Sequence, residues 1–284
     1  MLTIITPCFN SEKFIAHCIE SVAQQIGTLE VEHLIVDGAS RDRTLAIIDE
    51  YKSRLPHLRV ISEPDHGQSD AMNKGIALAK YRSVTFLNVD DFFEPDIIAQ
   101  VVNQLAHVPD LHFLVGNCNL RSLDGKILAV NKPHTLIFER LLLESPLFPF
   151  PSNPSAYFYD RRLHELVGPY DITLRYTMDL EFILRMSRVA KICYTNETWG
   201  NFVLHDECKT AKNANLGRRE MNTFIQHFRS EFTIGQWIRH YLWRLITGPH
   251  RVIQKFTTLF RRIIGRLQRS FFNNSENSLT PPCK

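Results

Sequence analysis

Residues 84–95 read VTFLNVDDFFEP. An apolar, β-branched and aromatic run gives way there to two adjacent carboxylates, Asp90 and Asp91, so the stretch reads as a buried strand with a carboxylate pair at its carboxyl end. In an open α/β sheet, ligands bind at that edge. Two like charges held side by side repel unless a cation or a hydrogen-bonding partner compensates them. A divalent ion shared with substrate phosphates suits the pair, because Mg²⁺ takes one or two protein carboxylates and fills its other positions with phosphate and water. The other reading is a solvated cap for the helix that Pro95 and the spacing of Ile97, Ile98, Val101 and Val102 predict.

The same pattern occurs three times upstream. Leu2 to Ile5 is an apolar run ending in Thr6 and Pro7, His33 to Val36 ends in Asp37, and Leu58 to Ile61 is followed by Glu63, Pro64 and Asp65. Each run passes into a helical pattern: Phe14, Ile15, Cys18, Ile19 and Val22 form one face, Leu45, Ile47, Ile48 and Tyr51 a second, and Met72, Ile76 and Ala79 a third. Strands alternating with helices predict a parallel sheet with right-handed crossovers, which brings Pro7, Asp37, Asp65 and Asp90 to one edge. The first turn, TPCFNSEKF, has no glycine, and no G-x-x-x-x-G-K-[ST] phosphate loop occurs anywhere. This points away from hydride transfer on a G-x-G-x-x-G dinucleotide fold and from P-loop hydrolysis, and a phosphate bound here must be held by metal and side chains.

TPCFN (6–10), VDGASRDRT (36–44), EPDHGQSDAMNKG (63–75), FLNVDD (86–91) and GPYDITLRYTMDLEFILR (168–185) resemble, in that order, the motifs of the family 2 glycosyltransferases with the GT-A fold. The similarity runs from Met1 to about Thr210. It implies an α/β, Rossmann-like GT-A domain for nucleotide-diphospho-sugar transfer, with inversion, from a nucleotide diphosphate sugar to a hydroxyl of a carbohydrate or lipid-linked acceptor. By the same resemblance, Thr6, Pro7 and Asp37 contact the nucleotide base, and Asp65 makes a second base or ribose contact. Asp70 and Lys74 line the donor site, a solvated helix face being the alternative for both, and Asp90 meets the ribose or sugar. Asp91 holds Mg²⁺ or Mn²⁺ on the diphosphate, with His205 placed to meet the same ion or its phosphates.

Asp179 is the matching candidate for the catalytic base. Inverting transfer needs a carboxylate that takes the acceptor's hydroxyl proton. In TMDLEFILRM, Leu180, Ile183 and Leu184 form a buried face and Asp179 sits near the helix N-terminus, where the dipole favours the ionised form. An N-terminal cap is the alternative role for Asp179, and Glu181 is close enough to be the base instead. NFVLHDECKT (201–210) resembles the segment that closes the donor site, with Lys209 beside His205, and FPFPSNPSAYFYDRR (148–162) suits an acceptor-side loop. Asn88, Val89, Met72, Tyr81 and Arg82 depart from common family residues, Met72 standing where many relatives have Arg. No Q-x-x-R-W signature of processive synthases occurs, so addition of a single sugar is expected.

Between Phe232 and Phe272 the chain mixes eight Arg and Lys residues with aromatics and aliphatics at helical spacing, and no acidic residue falls between Glu231 and Glu276. This reads as basic amphipathic helices on an anionic membrane surface; a helical pair packed on the domain is the alternative. The expected organisation is a catalytic domain over 1–215, a basic helical region over 216–272 and a disordered tail over 273–284. No run of about 18 apolar residues predicts a membrane span. The net charge of +3 is modest for a nucleic-acid binder. The six cysteines show no metal or disulfide spacing. With no room for a signal peptide before the first strand, the expected place is cytoplasmic, at the inner face of the cell membrane, in polysaccharide or glycolipid assembly. A non-catalytic membrane protein that keeps the fold is the alternative of a different class.

Overall fold

The computed structural model describes residues 1–145, 147, 149–209 and 213–245. Strand β1 (Leu2–Cys8) is buried along its whole length, with β2 (Val31–Asp37) on one side and β4 (Ser83–Phe86) on the other, both parallel to it. β3 (Leu58–Ser62) continues the parallel set beyond β2. Helices α1 (Ile15–Ile26), α2 (Thr44–Lys52) and α3 (Gln68–Leu78) make the crossovers, as the alternating pattern predicts. Register places Cys8 opposite Asp37 and Asp37 opposite Ser62, so the polar strand ends share one edge.

The decisive stretch divides in two. β4 ends at Phe86, the chain turns through Asn88 to Asp91, and Phe92–Phe93 forms a separate short strand, β5. Its aromatics leave the parallel set and join the far edge of the sheet, where Phe93 stacks on Phe158. α4 (Ile97–Leu105) then begins two residues after Pro95. The second half adds β6 (His112–Ser122), β7 (Ile127–Asn131), α5 (Phe138–Leu141), β8 (Tyr157–Asp160), α6 (Leu163–Val167), α7 (Met178–Met186), β9 (Lys191–Leu204) and α8 (Ala214–Ser230). One sheet results, in the order β3-β2-β1-β4-β8-β6-β9-β5, with β7 paired to β6. β8 runs antiparallel to both β4 and β6, whereas β6 and β9 are parallel.

Alternation along the strands sends neighbours to opposite faces. Ile5 belongs to the core cluster that holds residues of α3, α7 and α8, while Leu2 and Ile4 belong to the one that holds residues of α1 and α4. Phe224, Ile225 and Phe228 of α8, and Phe232 after it, are buried in the same core as Val36, Phe86 and Phe182. The core therefore runs straight through the boundary expected near residue 215. Each such side chain contributes about 1.5–3 kcal/mol of burial.

Residues 234–245 are helical. One side of this helix packs on the domain, with Trp237 and His240 against Phe232 and the Arg140 guanidinium 4.2 Å above the Trp243 ring. The other side presents Ile234, Ile238, Tyr241, Leu242 and Leu245 to solvent. The rest of the expected basic region, including Arg251, Lys255, Arg261, Arg262, Arg266 and Arg269, and the expected disordered tail lie outside the described residues. Among the described residues no helix is long and apolar enough to cross a membrane.

Candidate active site

A crevice of about 740 Å³ opens at the carboxyl edge of the parallel strands. The turn after β1 supplies Pro7, Cys8, Phe9 and Asn10; the turn after β4 supplies Asn88, Val89 and Asp90; the chain after β9 supplies His205, Cys208 and Lys209. Asp65, Asp179 and the segment Phe150 to Pro154 complete the wall.

Of the residues expected from sequence, Pro7, Asp65, Asp90, His205 and Asp179 stand on this wall. Asp65 lies so close to Gly38 that a Cβ there would come to 2.5 Å from its Oδ2, so a side chain at that position would displace the Asp65 carboxylate. Thr6, Asp37, Asp70 and Lys74 stand behind the wall. The Thr6 hydroxyl pairs with His33 Nε2 at 3.0 Å. Asp37 is 0% exposed and accepts hydrogen bonds from the Ser40 amide at 3.0 Å and the Ser62 hydroxyl at 2.7 Å. Lys74 donates to the Pro64 carbonyl at 2.7 Å and pairs with Glu63 and Asp70, while Asp70 accepts the His66 amide. Met72, 1% exposed, is a core residue on the buried face of α3.

The two adjacent carboxylates have opposite fates. Asp91 is 1% exposed, and its oxygens accept the Asn88 and Asn153 side-chain amides at 2.8 and 2.7 Å and the Val203 amide at 3.0 Å. Burial and the nearby Asp90 charge push its carboxyl up to about 7 despite those three donors. Asp91, expected to hold the ion, is thus turned inward, with three donors on its oxygens and no place on the crevice wall. Asp90 faces the crevice instead, with Oδ2 2.9 Å from His205 Nε2. The donor atoms of Asp90, His205 and Cys208 lie within 4.8 Å of one another. A carboxylate oxygen and an imidazole nitrogen converging on the crevice wall fit a divalent ion such as Mn²⁺.

Asp179 lies in the first turn of α7, as its spacing predicts. Its carboxyl is pushed up to about 6, with burial the dominant cause, while the Tyr157 hydroxyl, donating at 3.3 Å, and Lys209 pull the other way. Desolvation outweighs the helix dipole that the sequence pattern emphasises. Glu181, the alternative base, is held by Arg185 at 2.7 Å and is not on the wall. Lys209 is exposed at the rim of the crevice with its ammonium 5.7 Å from the Tyr176 ring, and desolvation by the surrounding chain lowers its pKa.

Four supporting residues escape sequence reasoning. Glu220 of α8 accepts the amides of Arg175 and Tyr176 and the Thr177 hydroxyl, fixing the entry to α7 and so the place of Asp179. Asn153 is recognisable as the cap of its own turn, where it accepts the Ser155 amide at 2.9 Å, but its bond to Asp91 spans 62 residues. Tyr157 and Cys208 carried no local signal.

The sheet order, the turn carrying Asp90 and the closing segment after β9 define a GT-A fold. Residues 3–145 match the model described as glycosyl transferase family 2, and the chain belongs to that family. The chondroitin synthase of Pasteurella multocida (strain Pm70) is 25% identical over 227 residues, covering 79% of this chain and 22% of that protein, so the chain spans about a fifth of the synthase. A PGL/p-HBAD biosynthesis glycosyltransferase of Mycobacterium tuberculosis (strain ATCC 25177 / H37Ra) is 29% identical over 199 residues, 69% of this chain and 70% of the relative. Among solved structures, S. aureus TarS 1–349 in complex with UDP-GlcNAc superposes with a TM-score of 0.59 at 19% identity, over 73% of this chain and 59% of that one. The mannosyltransferase PcManGT of Pyrobaculum calidifontis, in complex with GDP-Man and Mn²⁺, does so with a TM-score of 0.61 at 16% identity, over 83% of this chain and 66% of that one. At these identities the likeness is one of fold.

Proposed function

We propose that this chain moves a single sugar from a nucleotide diphosphate sugar to an acceptor hydroxyl with inversion, in assembly of a surface glycan or glycolipid. The observation that carries the reading is the meeting in one crevice of a crevice-facing Asp90–His205 pair and a partly buried carboxylate, Asp179. Pro7 to Asn10 and Asp65 are placed to hold the nucleotide, with Asp37 ordering Ser40 and Ser62 behind them. Asp90 and His205 would hold Mg²⁺ or Mn²⁺. When bound, the ion neutralises charge on the departing diphosphate. Asp179, ionised above about pH 6, accepts the acceptor's proton at Oδ2, since Oδ1 is engaged by Tyr157. Asn88 and Asn153, both tied to Asp91, hold the turn and the acceptor-side loop against each other.

A panel of UDP- and GDP-sugars, screened by thermal stabilisation with and without Mn²⁺ and then for transfer, tests this. At least one donor should stabilise the protein in an ion-dependent way, and Asp90→Ala should abolish both that response and transfer, a loss on the order of 10³-fold or more. Ion-independent donor binding with full transfer in Asp90→Ala would overturn the assignment.

The exposed stripe Ile234, Ile238, Tyr241, Leu242 and Leu245, with Ile234 81% exposed, supports peripheral attachment to an anionic membrane, because Arg244 lies on the same helix and more cations follow in the sequence. Flotation with anionic vesicles should fall as salt rises and should drop sharply in Ile238→Asp. Equal flotation of that variant would remove this reading while leaving the transfer chemistry untouched.

A further inference from the structure

Cys208 is a crevice thiol that the transfer chemistry leaves unused. The chain turns sharply after β9, with the Cys208 amide donating to the His205 carbonyl at 3.0 Å. The same turn folds the thiol back so that the His205 amide points at Sγ, at 3.4 Å, and the thiol donates to the Val203 carbonyl at 3.2 Å, a bond that ion binding would replace. Sγ lies 3.7 Å from Asp90 Oδ2, and that oxygen is 2.9 Å from His205 Nε2. Donors on one tetrahedral ion, with metal–nitrogen bonds of about 2.0 Å and metal–sulfur bonds of about 2.3 Å, stand roughly 3–4 Å apart. Two of the three separations are therefore already near that range before an ion arrives. The other crevice thiol, Cys8, is turned away, its Sγ 3.6 Å from Asp37 Oδ1.

We propose that Cys208 is a third protein donor of the ion site, so that the site prefers a borderline ion such as Zn²⁺ or Co²⁺ to Mg²⁺. This rests on the reading of Asp90 and His205 as ion ligands. An all-oxygen set suits Mg²⁺, whereas one oxygen, one imidazole nitrogen and one sulfur favour later first-row ions. On binding, a metal–sulfur bond forms and the Cys208 S–H bond breaks, its proton passing to solvent. His205 binds through the Nε2 lone pair as a neutral ring with its proton on Nδ1, and no electron is transferred. One tetrahedral position then remains for a diphosphate oxygen.

Titrating the full chain with Co²⁺ tests the proposal without reference to activity. The wild type should develop the near-ultraviolet sulfur-to-cobalt charge-transfer band together with visible ligand-field bands. The charge-transfer band should vanish in Cys208→Ser and persist in Cys193→Ser, since Cys193 is the exposed cysteine among the described residues. In competition for the Co²⁺ site, Zn²⁺ should outbind Mg²⁺ in both proteins, because the His205 imidazole remains, and by at least about tenfold more in the wild type than in Cys208→Ser. Ligand-field bands without the charge-transfer band, in a protein whose Asp90→Ala variant fails to bind Co²⁺, would overturn the role of Cys208 and leave the ion site standing. No Co²⁺ binding at all would overturn both.

Discussion

The parallel half of the sheet and the mixed half build the same crevice by different means. β1 to β4 offer strand ends whose polar residues are each next in sequence to the apolar run that places them. The mixed half delivers the groups to which the proposed chemistry is assigned, Asp179, His205 and Cys208, across long stretches of chain. Asp91, at the seam, reaches Asn153 and then Val203, which is 112 residues on, and His205 lies 115 residues beyond its partner Asp90. The parallel half is thus a local construction, whereas the mixed half works only when distant segments close on the seam.

Removing α8 should break the comparison most severely. A chain ended after Asn213 loses Phe224, Ile225, Phe228 and Phe232 from the core, together about as much burial as the 5–15 kcal/mol net stability of a typical domain. It should show no cooperative thermal transition by circular dichroism, although every parallel strand is intact. A sharp melt from that chain would mean that the mixed half folds without α8. Asp91→Ala should act next most strongly. It strands three buried donors, so even after relief of a buried charge the protein should lose about 2 kcal/mol by urea unfolding. An unchanged midpoint would show that the seam is not held there. Tyr157→Phe is the mildest. Loss of the hydroxyl that donates to Asp179 raises the base's pKa, and a charged hydrogen bond at the weak end is worth about 1.5 kcal/mol, so the acid limb of activity should move up by about one pH unit or less. A limb that stays in place would separate Tyr157 from the base.

How much could be read from sequence follows the same division. The four parallel strands, their helices and the polar edge were legible because each apolar run and its strand-end residue are contiguous. Asp179 was legible too, as an acidic residue at the start of an amphipathic helix. The separate fates of Asp90 and Asp91 were not, because two adjacent carboxylates look alike until Asn153 and Val203 arrive from far along the chain. Nor was the electrostatics of Asp179, where burial among Tyr157 and its neighbours outweighs the helix terminus. The continuation of the core into α8 was hidden by its polar surface, since Arg218, Arg219 and Glu220 sit close to the apolar positions in sequence.

The central claim is that Asp179 is the base and the crevice its site, and the pH dependence of kcat/KM in wild type and Asp179→Asn tests it most directly. Burial raises this group to about 6, so its charged, proton-accepting form is present above that pH and lost below it. Wild-type activity should therefore fall about tenfold per pH unit on the acid side of that value. Asp179→Asn should lose this limb and lower turnover on the order of 10²- to 10⁴-fold while keeping ion-dependent stabilisation by the donor. A variant that retains the acid limb, or that loses donor binding as steeply as turnover, would contradict the account.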